Sequence, residues 1–440
     1  MKDKIRKVLE FVSSKAREFG AKCDSDSQDY VLRNNTNDSS LSEGVPYFGF
    51  IKPEEDATGP YHDLSFVVFP PKEENKEWIV AIGVGTLGFK NDYELAALPG
   101  LRRSIAPIIS KKGFCKTSFL DIESALPRSF TDKYGHFRDL FNKYGKVLPA
   151  LDVVENPESV EGKNLLAAFL AVYAKLRYWP TNAHHRKALD EAITNASGNQ
   201  SSQSVDDEES VLKLIKNRRF VVLEGAPGTG KTRLAKLMAD KLSAKCFFTQ
   251  FHAGTGYSDF IYGIRPKLDQ EKLGYQEHFG VFYQSLEYAV NNSENNVLLI
   301  IDEINRANLS SILGPIFYLF EYKMDASDVD VLIGGDLQVK VIPSNFYVVA
   351  TMNTADRSLA MVDFALRRRF AWYHLRPNIP KIDKGFYEED FRRLAEIFNW
   401  YAEGVELELQ PGQGYFFADS EDREEFNAYF VERIGKSLTE

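Results

Sequence analysis

One glycine-rich stretch in the second half of the chain carries the residue types that hold a polyphosphate. It follows the pattern of a glycine, four further residues, then Gly-Lys and a hydroxyl residue. The glycines let backbone N–H groups turn toward an anion, and a helix that begins there adds the partial positive charge of its N-terminus. We therefore predict a nucleotide-binding loop made of Gly225, Ala226, Pro227, Gly228, Thr229, Gly230, Lys231, Thr232 and Arg233.

Within this loop, Lys231 is expected to reach the β- and γ-phosphates, and the Thr232 hydroxyl to bind Mg²⁺. About seventy residues later, the purely apolar run 297–301 ends in Asp302 and Glu303. Open α/β sheets bind ligands at the carboxyl edge of their strands, so this acid pair would lie beside the loop. The spacing predicts that Asp302 holds the magnesium through water and that Glu303 orients and polarises the attacking water.

A second apolar run, 346–352, is followed by Asn353, which we expect to touch the γ-phosphate and the attacking water. A predicted short helix at 362–369 ends in three arginines. Arg367 and Arg368 are candidates for an arginine finger that enters a neighbouring subunit's nucleotide site, because such a finger stabilises charge on the transferred phosphoryl group. The alternative is a solvated basic turn at a helix C-terminus. A finger acting between subunits implies a ring of identical copies.

The elements around these residues alternate between strand and helix, which predicts a parallel sheet sandwiched by helices. Strands are expected at 220–224, 245–251, 297–301, 346–352 and 370–375, and helices at 231–242, 282–291, 309–322 and 362–369. A hairpin is expected at 331–342, around two glycines, and a helix at 388–401 predicts a small helical lid.

The first half of the chain is predicted to be a separate α+β domain. The polar stretch 194–210 has almost nothing to bury, which is typical of a linker. We expect an N-terminal domain at 1–193, a linker at 194–208, a nucleotide-binding core at 209–377 and the lid at 378–440. In the N-terminal domain, 64–69 and 78–84 form a predicted hairpin, and helices are predicted at 4–19, 98–109 and 165–178.

Aromatic and basic side chains concentrate in this N-terminal domain and allow two interpretations. They could combine as a nucleic-acid surface, or they could be core aromatics beside a solvated basic face, which is the commoner case. The aromatics are Tyr47, Phe48, Phe50, Tyr61, Phe66, Phe69 and Trp78, and the basic residues are Arg102, Arg103, Lys111, Lys112 and Lys116.

Composition excludes several classes of protein. The chain has 440 residues, of which 27% are charged, and no apolar run long enough to span a membrane is present in the sequence. Three scattered cysteines without a CxxC pair indicate neither a zinc site nor a disulfide scaffold, so a reducing cytoplasm is expected. A net charge of −9 argues against general polyanion binding and confines any nucleic-acid contact to a local surface.

One segment is specific enough to indicate a family. The sequence FYVVATMNTADRSLAMVDFALRRRF at 346–370 resembles McrB, the GTPase subunit of modification-dependent restriction systems. The segments QFHAGTGYSDFIYGIRP at 250–266 and IDEINRANL at 301–309 resemble the same family. The resemblance covers 209–440 and implies an AAA+ fold in which Asn353 is the sensor, Asp356 and Arg357 belong to the signature loop, and Arg367 and Arg368 lie in the finger region.

The resemblance also implies partners and a cofactor. McrB-type proteins form rings that hydrolyse GTP with Mg²⁺, translocate DNA and work with a separate nuclease subunit, McrC, so a hexamer acting on DNA, which could be modified, is expected. General AAA+ features favour ATP, and the sequence leaves GTP and ATP both open. A MoxR-like ATPase that remodels protein complexes is the alternative function.

Two departures from the family pattern limit what can be carried over. A GHSYF-like segment is frequent in the family, whereas this chain has Gly-Gln-Gly-Tyr-Phe at 412–416, which removes the histidine. The N-terminal domain also does not match a modified-cytosine-binding domain. No nuclease motif with paired acids is recognisable in the sequence, so this chain is not expected to cut DNA alone.

Overall fold

The computed structural model describes residues 1–24, 27–196, 206–269, 272–320, 331–355, 364–381 and 385–418. Two compact units divide the chain. The first takes residues 1–203 and 399–402, and the second takes 204–398 and 403–440. In the described parts of the chain, no helix combines the length and the apolar composition that crossing a membrane would require.

The first unit is built around an antiparallel sheet. Its helices are α1 (Lys2–Glu18), α2 (Asp38–Ser42), α3 (Tyr93–Ala97), α4 (Pro99–Ile105), α5 (Arg128–Lys133), α6 (Arg138–Tyr144), α7 (Val160–Leu176) and α8 (Ala183–Ala196). Its strands are β1 (Cys23–Asp24), β2 (Ser27–Gln28), β3 (Val31–Asn35), β4 (Tyr47–Ile51), β5 (Leu64–Phe69), β6 (Trp78–Val84), β7 (Phe114–Cys115) and β8 (Ala150–Val154). Six strands form one sheet in the order β3-β4-β5-β6-β8-β7.

Both faces of this sheet are covered at β6, which explains why that strand has no polar side chain. On β6, Trp78, Val80 and Ile82 join one core with α1 and α7, while Ile79 and Ala81 join a second core with α6. Side chains alternate between the faces of a strand, so a continuous apolar run needs cover on both sides. The predicted hairpin of β5 and β6 is confirmed by antiparallel pairing from Leu64–Val84 to Phe69–Ile79.

The seven aromatic residues singled out in the sequence are buried or half-buried, as the commoner interpretation holds. Phe48, Phe50, Phe66, Phe69 and Trp78 are buried, and Tyr47 and Tyr61 are half-buried. A platform of exposed rings for stacking bases is therefore not formed by these residues. The basic residues divide: Arg102, Lys111 and Lys112 are exposed, Arg103 is half-buried, and Lys116 is buried.

The second unit alternates strand and helix. Its elements, from residue 206 onward, are α9 (Asp207–Arg218), β9 (Phe220–Gly225), α10 (Lys231–Lys241), β10 (Lys245–Gln250), α11 (Tyr257–Phe260), β11 (Tyr262–Asp269), β12 (Lys272–Phe279), α12 (Val281–Asn291), β13 (Val297–Asp302), α13 (Leu309–Leu313), β14 (Val331–Gly334), β15 (Leu337–Val339), β16 (Phe346–Asn353), α14 (Phe364–Arg369), β17 (Ala371–His374) and α15 (Glu388–Tyr401).

Five parallel strands form the central sheet, in the order β10-β13-β16-β9-β17. Helices α9 and α10 pack on one face, where Val211, Ile215 and Met238 lie over β9 and β13. Helices α12 and α13 pack on the other face, with Phe282 and Ile312. The predicted parallel sheet between two helical layers is confirmed.

The predicted helix at 309–322 is wrong in its length. The α-helix ends at Leu313, and a 3₁₀ helix follows at Gly314–Phe320. The change occurs at Gly314 and Pro315. Glycine weakens a helix, and proline has no backbone N–H to donate to the preceding turn, so α-helical hydrogen bonding ends there. The hairpin of β11 and β12 was not predicted at all.

The buried Lys116 supplies a test of the packing in the first unit. Only 4% of it is exposed, and its ammonium donates to the carbonyl oxygens of Asp121 at 2.8 Å, Ser124 at 2.8 Å and Lys146 at 2.7 Å. Its hydrogen bonds therefore connect two loops to the end of β7, and its charge is not part of a basic surface.

Replacement of Lys116 by alanine should loosen the region around β7 and β8, because three partly buried carbonyl groups would lose their donor. We expect the free energy of local opening to fall by about 2–4 kcal/mol. Hydrogen exchange followed by mass spectrometry over 114–154 measures this quantity. The exposed neighbour Lys111→Ala is the matched control, and equal protection in the two variants would contradict the assignment.

Candidate nucleotide-binding site

The glycine-rich loop joins the end of β9 to the start of α10. Gly228 and Gly230 have φ angles of +77° and +88°, in the left-handed region where a side chain would strain the backbone. The Thr229 hydroxyl donates to the Ala226 carbonyl oxygen at 2.8 Å and closes the turn. The predicted strand–loop–helix context is present, so the loop has the backbone shape of an anion cradle.

Lys231 is held inside this loop. Its side chain is 9% exposed, and its ammonium donates to the carbonyl oxygens of Gly225 at 2.9 Å and Ala226 at 2.8 Å. Burial lowers the pKa of Lys231 to about 8, while the negative charges of Glu303 and Asp302 act in the opposite direction. A phosphate beside this ammonium would favour its charged form still further.

Asp302 and Thr232 meet as the magnesium prediction requires. The Asp302 Oδ1 atom accepts hydrogen bonds from the hydroxyls of Thr232 at 2.6 Å and Thr351 at 2.7 Å. Mg²⁺ prefers oxygen ligands and is usually held by one or two carboxylates together with waters and substrate phosphates. Across the described ranges no group of three or more His, Cys, Asp or Glu side chains gathers at one point. The donor set of one carboxylate and a hydroxyl fits Mg²⁺ delivered with a nucleotide.

Glu303 lies at the strand end in an unusual backbone conformation. Its φ of +55° is left-handed, which costs a residue with a side chain roughly 1–3 kcal/mol and persists where surrounding contacts fix it. The Glu303 backbone N–H donates to the Thr351 hydroxyl at 3.1 Å. Its buried Oε2 atom lies 3.4 Å from the Arg306 guanidinium. The carboxylate is therefore held near the loop beside a cation, at the place where a water-polarising group is needed.

Asn353 ends β16 directly opposite Gly225 of β9 in the register of the sheet. Its side-chain oxygen accepts from the Ala355 backbone N–H at 3.3 Å, and its carbonyl oxygen accepts from the Asn305 amide at 3.4 Å. The Thr354 backbone N–H donates to the Gly225 carbonyl oxygen at 3.1 Å. The structure thus places Asn353 beside the start of the loop.

The candidate arginines lie on α14 and not in the loop. Arg367 and Arg368 are exposed, and the Arg367 guanidinium lies over the Trp372 ring at 5.2 Å. Arg233 is exposed in the first turn of α10. Asp356 and Arg357 of the predicted signature loop lie outside the described residues.

Several residues that surround the site were missed from the sequence. Thr351 bridges Asp302 and the Glu303 backbone, and the buried Asn305 holds the strand that carries Asn353. A hydroxyl near the end of the apolar run 346–352 was a readable signal for Thr351. No comparable signal in the sequence marks Asn305.

A third missed feature is a contact made by residues 412–415, in the region predicted to be the lid. Backbone N–H groups of Gly412 and Gly414 donate to the carbonyl oxygens of Pro227 and Gly228, each at 2.8 Å. The Gln413 amide donates to the Thr229 carbonyl oxygen at 2.9 Å. The lid segment 412–415 therefore lies directly on the loop, and a sequence separation of more than 180 residues hides this contact from any local pattern.

Comparison with known proteins agrees with this geometry. The model of the AAA domain of the dynein-related subfamily matches residues 220–370. The EcoKMcrB subunit of a type IV methyl-directed restriction enzyme of Escherichia coli K12 is 37% identical over 194 residues, covering 42% of this chain and 40% of that protein. The YdiS component of the type II restriction enzyme BsuMI of Bacillus subtilis is 32% identical over 204 residues, covering 38% of this chain and 59% of that protein.

The matches span less than two thirds of the length of either relative. Among solved structures, the RuvB Holliday junction branch migration motor of Thermotoga maritima is 22% identical and covers 44% of this chain and 51% of that chain, with a TM-score of 0.22. A likeness at that level carries no argument about function.

Substituting Lys231 and Glu303 one at a time should show which residue is needed to bind the triphosphate and which is needed to hydrolyse it. Lys231→Ala is expected to weaken binding of a Mg²⁺–triphosphate at least about 100-fold, because charge-assisted hydrogen bonds to the phosphates are lost. Glu303→Gln should bind normally but lower kcat about 100- to 1,000-fold, because an amide cannot polarise the attacking water. Equilibrium binding of a fluorescent triphosphate and steady-state phosphate release measure the two effects.

Glu294→Gln, in an exposed turn of the same unit, is the matched control and should behave as the wild type. Normal hydrolysis by Glu303→Gln would show that another group activates the water.

Proposed function

We propose that this chain, whose second unit is an McrB-like AAA+ domain, is the nucleotide-hydrolysing and DNA-translocating subunit of a restriction system. It would act with a separate nuclease subunit of the McrC kind. One observation carries the proposal: Lys231, Thr232, Asp302, Glu303 and Asn353 converge at one edge of a parallel sheet, within a region 37% identical to a restriction-enzyme subunit.

The proposed chemistry is hydrolysis of the γ-phosphoryl group of a triphosphate. Lys231 would bind the β- and γ-phosphates, and Glu303 would take up the proton of the attacking water while Asn353 orients that water. Thr232 and Asp302 would hold Mg²⁺, which supplies neutralising charge when bound.

The division of labour along the chain is also part of the proposal. Residues 1–193 would recognise the target, and residues 194–208 would link this domain to the next. Residues 209–377 would hydrolyse nucleotide, and residues 378–440 would form the lid. Because the seven aromatic residues clustered between Tyr47 and Trp78 are buried or half-buried, we expect target recognition to rely mainly on polar surface groups. A cytoplasmic location follows from a DNA-directed role.

Hydrolysis of GTP and ATP measured side by side tests this function. With Mg²⁺, the purified chain should hydrolyse a triphosphate, and the ratio of the GTP and ATP rates identifies the preferred base, since one base-edge hydrogen bond of about 1.4 kcal/mol corresponds to a tenfold preference. Addition of an McrC-type nuclease should yield DNA cleavage that requires hydrolysis and is lost in Glu303→Gln. If the chain hydrolyses nucleotide but DNA cleavage never depends on that hydrolysis, the chain is an NTPase without the proposed role in restriction.

The proposal includes a ring in which each subunit completes its neighbour's site. Arg367 and Arg368 are solvent-exposed at the C-terminal end of α14. A head-to-tail contact between identical subunits closes into a ring when the rotation permits, and a hexamer is the expected size.

Mixing two inactive variants tests whether the arginine acts between subunits. Arg367→Ala or Arg368→Ala should lower kcat about 1,000-fold without unfolding the monomer, because stabilisation of the transferred phosphoryl group is lost. Addition of Lys231→Ala subunits should restore phosphate release, since these supply intact arginines to intact loops. Arg393→Ala, exposed on α15, should keep full activity. Failure of every mixture to regain activity would place the arginine's action within its own subunit.

A further inference from the structure

The lid segment 412–415 contacts the loop through three consecutive carbonyl groups. Gly412, Gln413 and Gly414 donate to the carbonyl oxygens of Pro227, Thr229 and Gly228 respectively, at 2.8 to 2.9 Å. The lid is therefore attached to one defined side of the loop backbone, the side on which its carbonyl oxygens lie.

A trans peptide unit points its C=O and its N–H in opposite directions. With the carbonyls of 227, 228 and 229 turned to the lid, the N–H groups of Gly228, Thr229 and Gly230 turn to the opposite side. None of these three N–H groups has a hydrogen-bond acceptor within the parts of the chain that the structure describes. Successive N–H groups pointing the same way form an anion-binding concavity. The lid contact thus fixes the orientation that a polyphosphate needs.

The fit between lid and loop leaves no room for adjustment. A Cβ atom on Gly412 would lie 2.2 Å from the backbone of Gly228 and Thr229, and a Cβ on Gly228 would lie 2.6 Å from the Tyr415 ring. Glycines on both sides are required for this approach, so the contact is specified by the sequence.

Gln413 uses both ends of its amide in this contact. Its nitrogen donates to the Thr229 carbonyl oxygen at 2.9 Å, and its oxygen accepts from the Asn378 backbone N–H at 3.3 Å. A carbonyl can only accept and an N–H can only donate, so the amide has a single orientation. The Asn378 side chain in turn donates to Asp207 at 2.9 Å. Gln413 thus connects the loop to the segment that follows β17 and to the start of α9.

We propose that Gln413 is a positioning residue of the nucleotide site: through its amide, the lid holds the loop with its N–H groups turned toward the phosphates. This inference rests on the proposed nucleotide hydrolysis and adds the residue that sets the shape of the loop. The amide does not titrate, so the positioning is independent of pH in the natural chain.

Three substitutions of Gln413 differ in the hydrogen bonds they retain. Alanine retains neither bond. Neutral histidine has one donor and one acceptor, as the amide has, whereas protonated histidine has two donors and cannot accept from Asn378. Glutamate retains the acceptor but sets a negative charge beside the Thr229 carbonyl and the incoming phosphates.

The test measures Kd for a fluorescent Mg²⁺–triphosphate, and KM and kcat for hydrolysis, at about pH 8 and about pH 5.5, on either side of the usual histidine pKa. Gln413→Ala should raise Kd and KM about 3- to 10-fold at both pH values with kcat little changed, as expected when an interaction that holds ground state and transition state alike is lost. Gln413→His should resemble the wild type at about pH 8 and Gln413→Ala at about pH 5.5, each compared with the wild type at the same pH. Gln413→Glu should bind more weakly than alanine at about pH 8.

Gln276→Ala, an exposed glutamine of β12, is the matched control and should leave all three constants unchanged. A wild type that binds triphosphate, with Gln413→Ala equal to it, would overturn the positioning role and leave the proposed function intact. Absence of a pH-dependent difference between Gln413→His and the wild type would also overturn it, because loss of lid stability alone does not follow the histidine pKa. A wild type that binds no triphosphate would instead remove the proposed function itself.

Discussion

The structure of the second unit depends on one constraint, the alignment of three parallel strand ends. In the register of the sheet, Gly225 of β9 lies beside Asn353 of β16, and the neighbouring strand β13 ends in Asp302. Parallel strands bring their carboxyl ends to one edge, so groups 50 to 130 residues apart in sequence come together without any direct attraction between them. The buried apolar strands between the helical layers provide the free energy that makes this placement possible.

Opposite charges then balance at that edge. Lys231 is buried, and its pKa is lowered by that burial, while Asp302 and Glu303 favour its charged form. Hydroxyl groups stand between the acids: Thr232 and Thr351 both donate to Asp302, and Thr351 accepts from the Glu303 backbone. Since buried polar groups are costly unless hydrogen-bonded, this network fixes the Asp302 side chain and the Glu303 backbone in position. A preorganised site of this kind orients a triphosphate without a large rearrangement.

Local sequence patterns were enough to predict the strands and the loop that carry the site residues. They were not enough to predict the hairpin and the segment around Gln413 that pack around the site. The loop, Asp302 and Asn353 follow strands whose apolar runs are continuous because helices cover both faces of the sheet, and this pattern is readable in a single segment. The hairpin of β11 and β12 was missed because Gly263, Pro266 and Gly274 interrupt its strands. The seating of Gln413 on Thr229 was missed because it joins segments 184 residues apart.

The strength of the contacts around Arg367 bears on whether this residue can serve a neighbouring site. Within the described part of the chain, Lys231 is the one cation that hydrogen-bonds to the loop, and it bonds to Gly225 and Ala226. Charge that develops on a transferred phosphoryl group needs more than one cation. Arg367 lies over Trp372, and an exposed cation–π contact of this kind is worth about 0.5–1 kcal/mol. A hydrogen bond to an anion contributes about 1.5–3 kcal/mol, so a phosphate of an adjacent copy would draw the guanidinium away from the ring. The Trp372 ring therefore holds Arg367 in a contact weak enough for the guanidinium to exchange to a stronger anionic partner.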